Sequence, residues 1–213
     1  MKNNKILVVC AHIDDETLGM GGTIHKLAKD NEVKILVLCN GTIIGNPTLR
    51  AEILNEYSKL DISVTVLNNY DLELEKYTLA ENIKQIKHIV TGYSPDVVFT
   101  HSKDSHPDHN IVSDMMDVIC RFKDTGIAKL YHFAIPGNIE WSGSEFKPNT
   151  FLEISSEDAK FKKKIIKKYN SLFNHDSTNP LSYKNVLCRD KYTGSLCDSK
   201  YAEQFQLILS RSL

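Results

Sequence analysis

Apolar residues in this chain fall into short unbroken runs separated by stretches of helical spacing. KILVVCA (5–11) is one such run, and apolar character without alternation marks a strand covered on both faces of a parallel sheet. VKILVLCN (33–40) repeats the signal, and the β-branched ISVTVL (62–67), DVVFTH (96–101) after Pro95 and AKLYHFAI (128–135) give three more strands. Between them, TLGMGGTIHKLAKD carries Leu18, Ile24, Leu27 and Ala28 at roughly helical intervals, as LRAEILNEYSKL carries Leu49, Ile53, Leu54, Tyr57 and Leu60. Further helices are predicted from about Leu79 to Tyr93 and over HNIVSDMMDVICRFK. Alternation of this kind needs helical crossovers, so it predicts a Rossmann-like three-layer α/β sandwich with a mostly parallel sheet. Beyond Ile135 the alternation stops. There the pattern predicts a loop over PGNIEWSGSEFKPN, a short strand at FLEIS and a lysine-rich helix at about 156–172. Residues 174–200 read as a long loop or lid, and YAEQFQLIL as a closing helix.

Length and charge narrow the classes. With 213 residues, 41% of them hydrophobic, the chain can bury one substantial core, and a single domain over 1–213 is expected. Lysine and arginine number 26 against 27 aspartates and glutamates. No basic field attracts nucleic acid or an anionic membrane, which leaves a small molecule as the expected partner. The opening apolar run is too short for a signal peptide, and no segment has the length to span a membrane. Five cysteines without CxxC spacing argue against a disulfide framework, so a cytoplasmic location is expected. A homo-oligomer is left open.

In open parallel sheets ligands bind beyond the carboxyl ends of the strands. Two strand ends here are crowded with ionisable groups: AHIDDE (11–16) after the first strand and HSKDSHPDH (101–109) after the fourth. In the usual strand order these strands are neighbours, so the two clusters meet. Together they offer imidazole and carboxylate ligands of the kind zinc uses in catalytic sites, with a position left for water. Taken alone, Asp14, Asp15 and Glu16 read more readily as helix caps or dipole partners than as ligands; the joint occurrence favours a metal. GMGG (19–22) is not a dinucleotide loop, and its small residues suit close approach of helix to sheet.

The paired motifs AHIDDE and HPDH resemble the signatures of the LmbE-like, or PIG-L, family of zinc-dependent N-acetylglucosaminyl deacetylases, with Ile13 in place of the first signature's proline. EWSGSEFKPNTFLEIS and YAEQF also look like later family segments. The resemblance implies a hydrolase that removes an N-acyl group, acetyl in the family, from an amino sugar or its conjugate. It implies Zn²⁺, with Fe²⁺ as the alternative, held by His12, Asp15 and His109. A zinc-bound water would attack the amide with Asp14 as general base, His106 would face the developing oxyanion and Asp108 would orient His106. Arg50 and Asp71 match family positions for substrate contacts.

Other polar residues have quieter readings. Glu16 is read as structural, His101 as a core or supporting residue, and Asp104 as either lining the substrate mouth or not. Trp141 either stacks on a sugar or packs the C-terminal segment, with packing the simpler reading, and Arg189 is a lesser substrate candidate. A metal amidase acting on a non-sugar amide, or a sugar-binding module without catalysis, would use the same scaffold. Retention of both Asp14 and His106 weighs against the binding module.

Overall fold

In the computed structural model Ile6, Val8 and Cys10 face one side of strand β1 (Lys5–Cys10) while Leu7 and Val9 face the other, and all five are buried. The structure describes residues 1–41, 47–143, 146–173 and 177–212, with the backbone alone at 47–50, 124 and 171–173. β1 lies inside a seven-stranded sheet that also contains β2 (Glu32–Cys39), β3 (Ser63–Asn69), β4 (Val97–His101), β5 (Lys129–Phe133), β6 (Thr150–Glu153) and β7 (Ala202–Ser210). The order is β3-β2-β1-β4-β5-β7-β6, with β1 to β5 parallel and β7 antiparallel to both β5 and β6. The strand order reverses between β1 and β4, whose pairing aligns Val8 with Phe99.

Each face of the sheet has its own core. On one, α1 (Asp15–Leu27), α2 (Pro47–Ser58) and α6 (Ser156–Phe173) bury Leu18, Ile24, Ile53, Tyr57, Ile165 and Tyr169 against Ile6, Val8 and Phe99. On the other, α3 (Leu79–Tyr93) and α4 (Pro107–Cys120) bury Ile86, Val90, Val112 and Met116 against Leu7, Val9 and Val98. The start of α3 follows from sequence: Thr78 Oγ1 accepts from the Glu81 amide, while Glu81 returns its carboxylate to the Thr78 amide. The small residues of α1 let it approach the sheet and α6. A Cβ on Gly19 would strike the Phe133 ring, and one on Gly22 would sit 2.5 Å from Ile154 Cδ1.

Two C-terminal expectations are overturned. YAEQFQLIL forms strand β7 and not a helix. Phe205, Leu207 and Leu209 alternate with Gln204, Gln206 and Ile208, the period of a strand, and pair with β5. Residues 174–200 are not all loop, because they contain α7 (Tyr183–Ser195), capped where Ser182 Oγ accepts from the Asn185 amide. The buried stripe of α7 is Val186, Asp190, Thr193 and Gly194. Its helical spacing is sound but largely polar, so a search for apolar periodicity passes over it. The expected loop after β5 also contains a one-turn helix, α5 (Asn138–Trp141). Among the described residues no helix is long and apolar enough to cross a membrane.

Candidate active site

AHIDDE leaves β1 and HSKDSHPDH leaves β4, and because these strands pair, the two loops converge at the sheet's switch point. Asp15 is the centre of the cluster. Its Oδ2 accepts from the His12 amide at 2.7 Å and lies 3.3 Å from His12 Nδ1 and 3.2 Å from His101 Nε2, while Oδ1 lies 3.4 Å from His109 Nε2. Burial opposes ionisation of Asp15, yet His109 holds its carboxyl well below the usual range. The His101 ring stacks on that of His109 with centroids 4.0 Å apart, and its Nε2 accepts from the Ala11 amide at 3.0 Å. Burial, with His109 adding to it, lowers His101 to about 4 and keeps it neutral.

His109 and His12 are held by carboxylates from outside. Asp104 Oδ2 is 2.7 Å from His109 Nδ1, and the buried His109 Nε2 has no hydrogen-bond partner among the described residues. A carboxylate that takes the proton of one ring nitrogen and frees the other is the usual arrangement behind a metal-binding histidine. Asp108 is buried, and its Oδ2 accepts from the Leu72 amide at 2.8 Å and meets His12 Nε2 at 3.1 Å. Burial disfavours the charged rings, but Asp108 and Asp15 raise His12 to about 11, and Asp15 and Asp104 raise His109 to about 9. The site therefore gathers positive charge around its carboxylates.

Metal-compatible atoms form three overlapping groups among the described residues: His12, His106 and His109; Asp15, His101 and His109; and His12, Cys39 and Asp108. The expected set of His12, Asp15 and His109 draws on the first two. Cys39 is a poor ligand because burial pushes its thiol up, with Asp108 adding to the effect.

Asp14 occupies the position before α1 but makes no capping hydrogen bond. Burial, reinforced by Asp15, raises its carboxyl to about 8. His106 caps α4: its Nδ1 accepts from the Asp108 amide at 3.2 Å, which places the neutral ring's proton on Nε2. Burial lowers its pKa further, with His109 and His12 contributing. The expected orientation of His106 by Asp108 thus runs through the backbone amide, whereas the Asp108 carboxylate holds His12. Asp104, weighed only as a lining residue, is instead the support of His109, and its Oδ1 also accepts from the His106 amide. Glu16 lies apart, accepting from Thr17, Tyr57 and Tyr169 in the core under α1.

The substrate candidates divide. Asp71 precedes Leu72, whose amide donates to Asp108, and its Oδ1 is buried without a hydrogen-bond partner among the described residues. The Arg50 side chain lies outside the described residues. Trp141 does not pack the C-terminal segment, being 86% exposed.

The family model for PIG-L, GlcNAc-PI de-N-acetylase, matches residues 7–120, from β1 through the HPDH motif and α4. The chain belongs to the PIG-L family. Its fold is shared with the conserved protein TT1542 from Thermus thermophilus (TM-score 0.78, 22% identity, covering 99% of this chain and 97% of the other). It is also shared with the N,N′-diacetylchitobiose deacetylase from Pyrococcus horikoshii (0.76, 21%, 97% and 84%). A third similar structure is GalB, the 4-carboxy-2-hydroxymuconate hydratase from Pseudomonas putida (0.72, 17%, 100% and 98%). A deacetylase and a hydratase on one scaffold mean that the fold does not choose the reaction for this PIG-L chain.

Proposed function

We propose that this protein is a metal-dependent hydrolase that removes an acyl group, acetyl in the simplest case, from the amine of an amino sugar or its conjugate. A single domain, acting in the cytoplasm, carries the reaction. The observation that supports it most directly is the convergence of His12, Asp15 and His109 in a PIG-L chain, with the buried His109 Nε2 facing Asp15 but making no hydrogen bond among the described residues and its Nδ1 held by Asp104. The diacetylchitobiose deacetylase on the same fold agrees with this reading.

The donor set suits Zn²⁺ or Fe²⁺: imidazole nitrogens and carboxylate oxygens, buried, with carboxylates behind the rings. His12, Asp15 and His109 would hold the ion, which when bound supplies Lewis-acid polarisation of a carbonyl and of water. Asp14 takes the proton from the attacking water. Its freedom from capping leaves the carboxylate available, and a pKa near the working pH is what a general base needs. A cation beside it would lower that pKa and favour the ionised base. His106 presents its Nε2 proton to the oxygen that becomes negative as the amide is attacked, a contribution of about 10²–10³ in rate for one well-placed donor. Asp14 then returns the proton to the amine nitrogen as the C–N bond breaks.

The test is release of free amine from a panel of N-acetylated amino sugars, with Asp14→Asn as the control. The variant is expected to bind metal as the wild type does and to lose at least about 10²-fold in rate. Full activity in Asp14→Asn would remove the assigned base, and failure of the chain to take up any divalent ion on titration would remove the proposal.

A further inference from the structure

The chemistry above leaves the surface around α5 unused. Trp141 on α5 is the only tryptophan in the sequence and is 86% exposed, and Tyr192 on α7 is 66% exposed. Both border a cavity of about 590 Å³ that is also lined by Glu140, Asn185, Arg189 and Gln204, within the roughly 300–1,000 Å³ of small-molecule sites. Arg189 is the second observation. Its side chain is only 22% exposed, its nearest carboxylate oxygen is Glu140 Oε1 at 3.9 Å, and among the described residues its guanidinium makes no hydrogen bond. A largely buried guanidinium therefore keeps its donors available in the groove.

The groove is built and is attached to the candidate active site. Gly137 has φ +87°, and a Cβ there would sit 2.7 Å from Pro180 Cγ, so only glycine lets α5 lie against the segment that precedes α7. The Gly137 amide donates to Glu140 Oε2 at 2.7 Å, which fixes Glu140 with its other oxygen toward Arg189. The Ser105 amide donates to Asn138 O at 3.4 Å, tying α5 to the loop that carries Asp104 and His106.

We propose that this groove is a subsite for a second sugar ring of the substrate, next to the amino sugar at the site of reaction. The proposal rests on the deacetylase reading for its first ring. An exposed indole offers a flat apolar face to the C–H face of a pyranose. Glu140 and Arg189 together offer an acceptor and donors to neighbouring hydroxyls. The pair is neutral overall, so it suits an uncharged hydroxylated ring better than an anionic group, which Glu140 would repel.

Because Trp141 is the only tryptophan, its emission reports on the groove without metal or turnover. N,N′-diacetylchitobiose titrated into the full chain with chelator present is expected to shift and quench that emission saturably, with N-acetylglucosamine needing at least about tenfold higher concentration. In calorimetry Trp141→Ala and Tyr192→Ala, both at exposed side chains that the fold does not need, are each expected to weaken disaccharide binding about tenfold. Unchanged emission with the disaccharide, or wild-type affinity in Trp141→Ala, would overturn the subsite. Binding with this signature but no amine release by the metal-loaded enzyme would support the subsite and sink the deacetylase reading. Equal kcat/KM for the two sugars with silent emission would do the reverse.

Discussion

Lys162 on α6 is fully buried with its ammonium between two carboxylates, 3.0 Å from Asp190 Oδ1 on α7 and 2.6 Å from Glu203 Oε1 on β7. Glu203 in turn accepts from the Gly22 amide at 3.0 Å and the Thr23 amide at 2.6 Å. Those amides need an acceptor because α1 breaks at Met20 (φ −151°, ψ 26°) and restarts there. One ammonium thus joins α6, α7, β7 and the helix that begins at Asp15. Replacing it with the apolar isostere in Lys162→Met leaves two buried carboxylates facing each other, and Asp190 loses the only close partner it has among the described residues. Breaking such a pair from one side costs about 3–5 kcal/mol, or a fall in Tm of roughly 6–20 °C for a chain of this size.

The pH dependence has a definite sign. Burial pushes Asp190 up to about 7, with Glu203 adding to it and Lys162 opposing. A carboxyl raised on folding contributes stability that is present below its ordinary value of 3.8 and is lost as pH rises through about 7. At pH 5 Asp190 is protonated with or without Lys162, so the cost of Lys162→Met is smaller there than at pH 8. Urea unfolding at both values measures it. Lys162→Met/Asp190→Asn, which removes the stranded charge, is expected to recover at least half of the loss at pH 8. A single-variant loss below about 1 kcal/mol at pH 8, or a double variant no better than the single, would refute the reasoning.

Three further outcomes are expected. Gly22→Ala, whose Cβ meets Ile154 Cδ1, should cost about 1–3 kcal/mol in urea unfolding. Asp104→Ala, which unties His109 Nδ1, should weaken metal binding about 10–100-fold in a competitive titration. His12 at about 11 and His109 at about 9 are protonated in the metal-free protein at neutral pH. A divalent ion must displace those protons, so apparent affinity should rise with pH by up to about a hundredfold per unit below 9; an affinity flat between pH 6.5 and 7.5 would contradict this.

The inner parallel strands β1, β2, β4 and β5 are legible in the sequence because they are buried on both faces, so an unbroken apolar run is both necessary and visible. The parallel edge strand β3 has no buried position and shows only by its β-branched residues. The antiparallel edge is not legible. In β7 the buried Glu203 occupies a position where an apolar residue would be sought, since its work is to receive two amides of α1 and Lys162. Asp190 hides α7 for the same reason. Where a core is held by an internal ion pair, hydrophobic periodicity fails at the residues that make the pair.

The candidate site shows a similar division. His12, Asp15, His106 and His109 are legible because strand order alone brings their loops together. The partners of the rings are not, since Asp104 finds His109 only through a turn in which Asn110 Oδ1 accepts from the Asp104 amide and Asn110 Nδ2 donates to its carbonyl. Ile13 belongs to this second class. As a departure from the family's proline it suggests a loosened loop, but its side chain is 6% exposed and packs in the core under α1. Proline would restrain the loop by its ring, fixing φ. Isoleucine restrains it by burial, worth roughly 1.5–3 kcal/mol for a side chain of this size. The loop that carries His12 and Asp15 is therefore anchored from beneath, and the substitution changes the means by which their geometry is held while leaving every polar atom of the site in place.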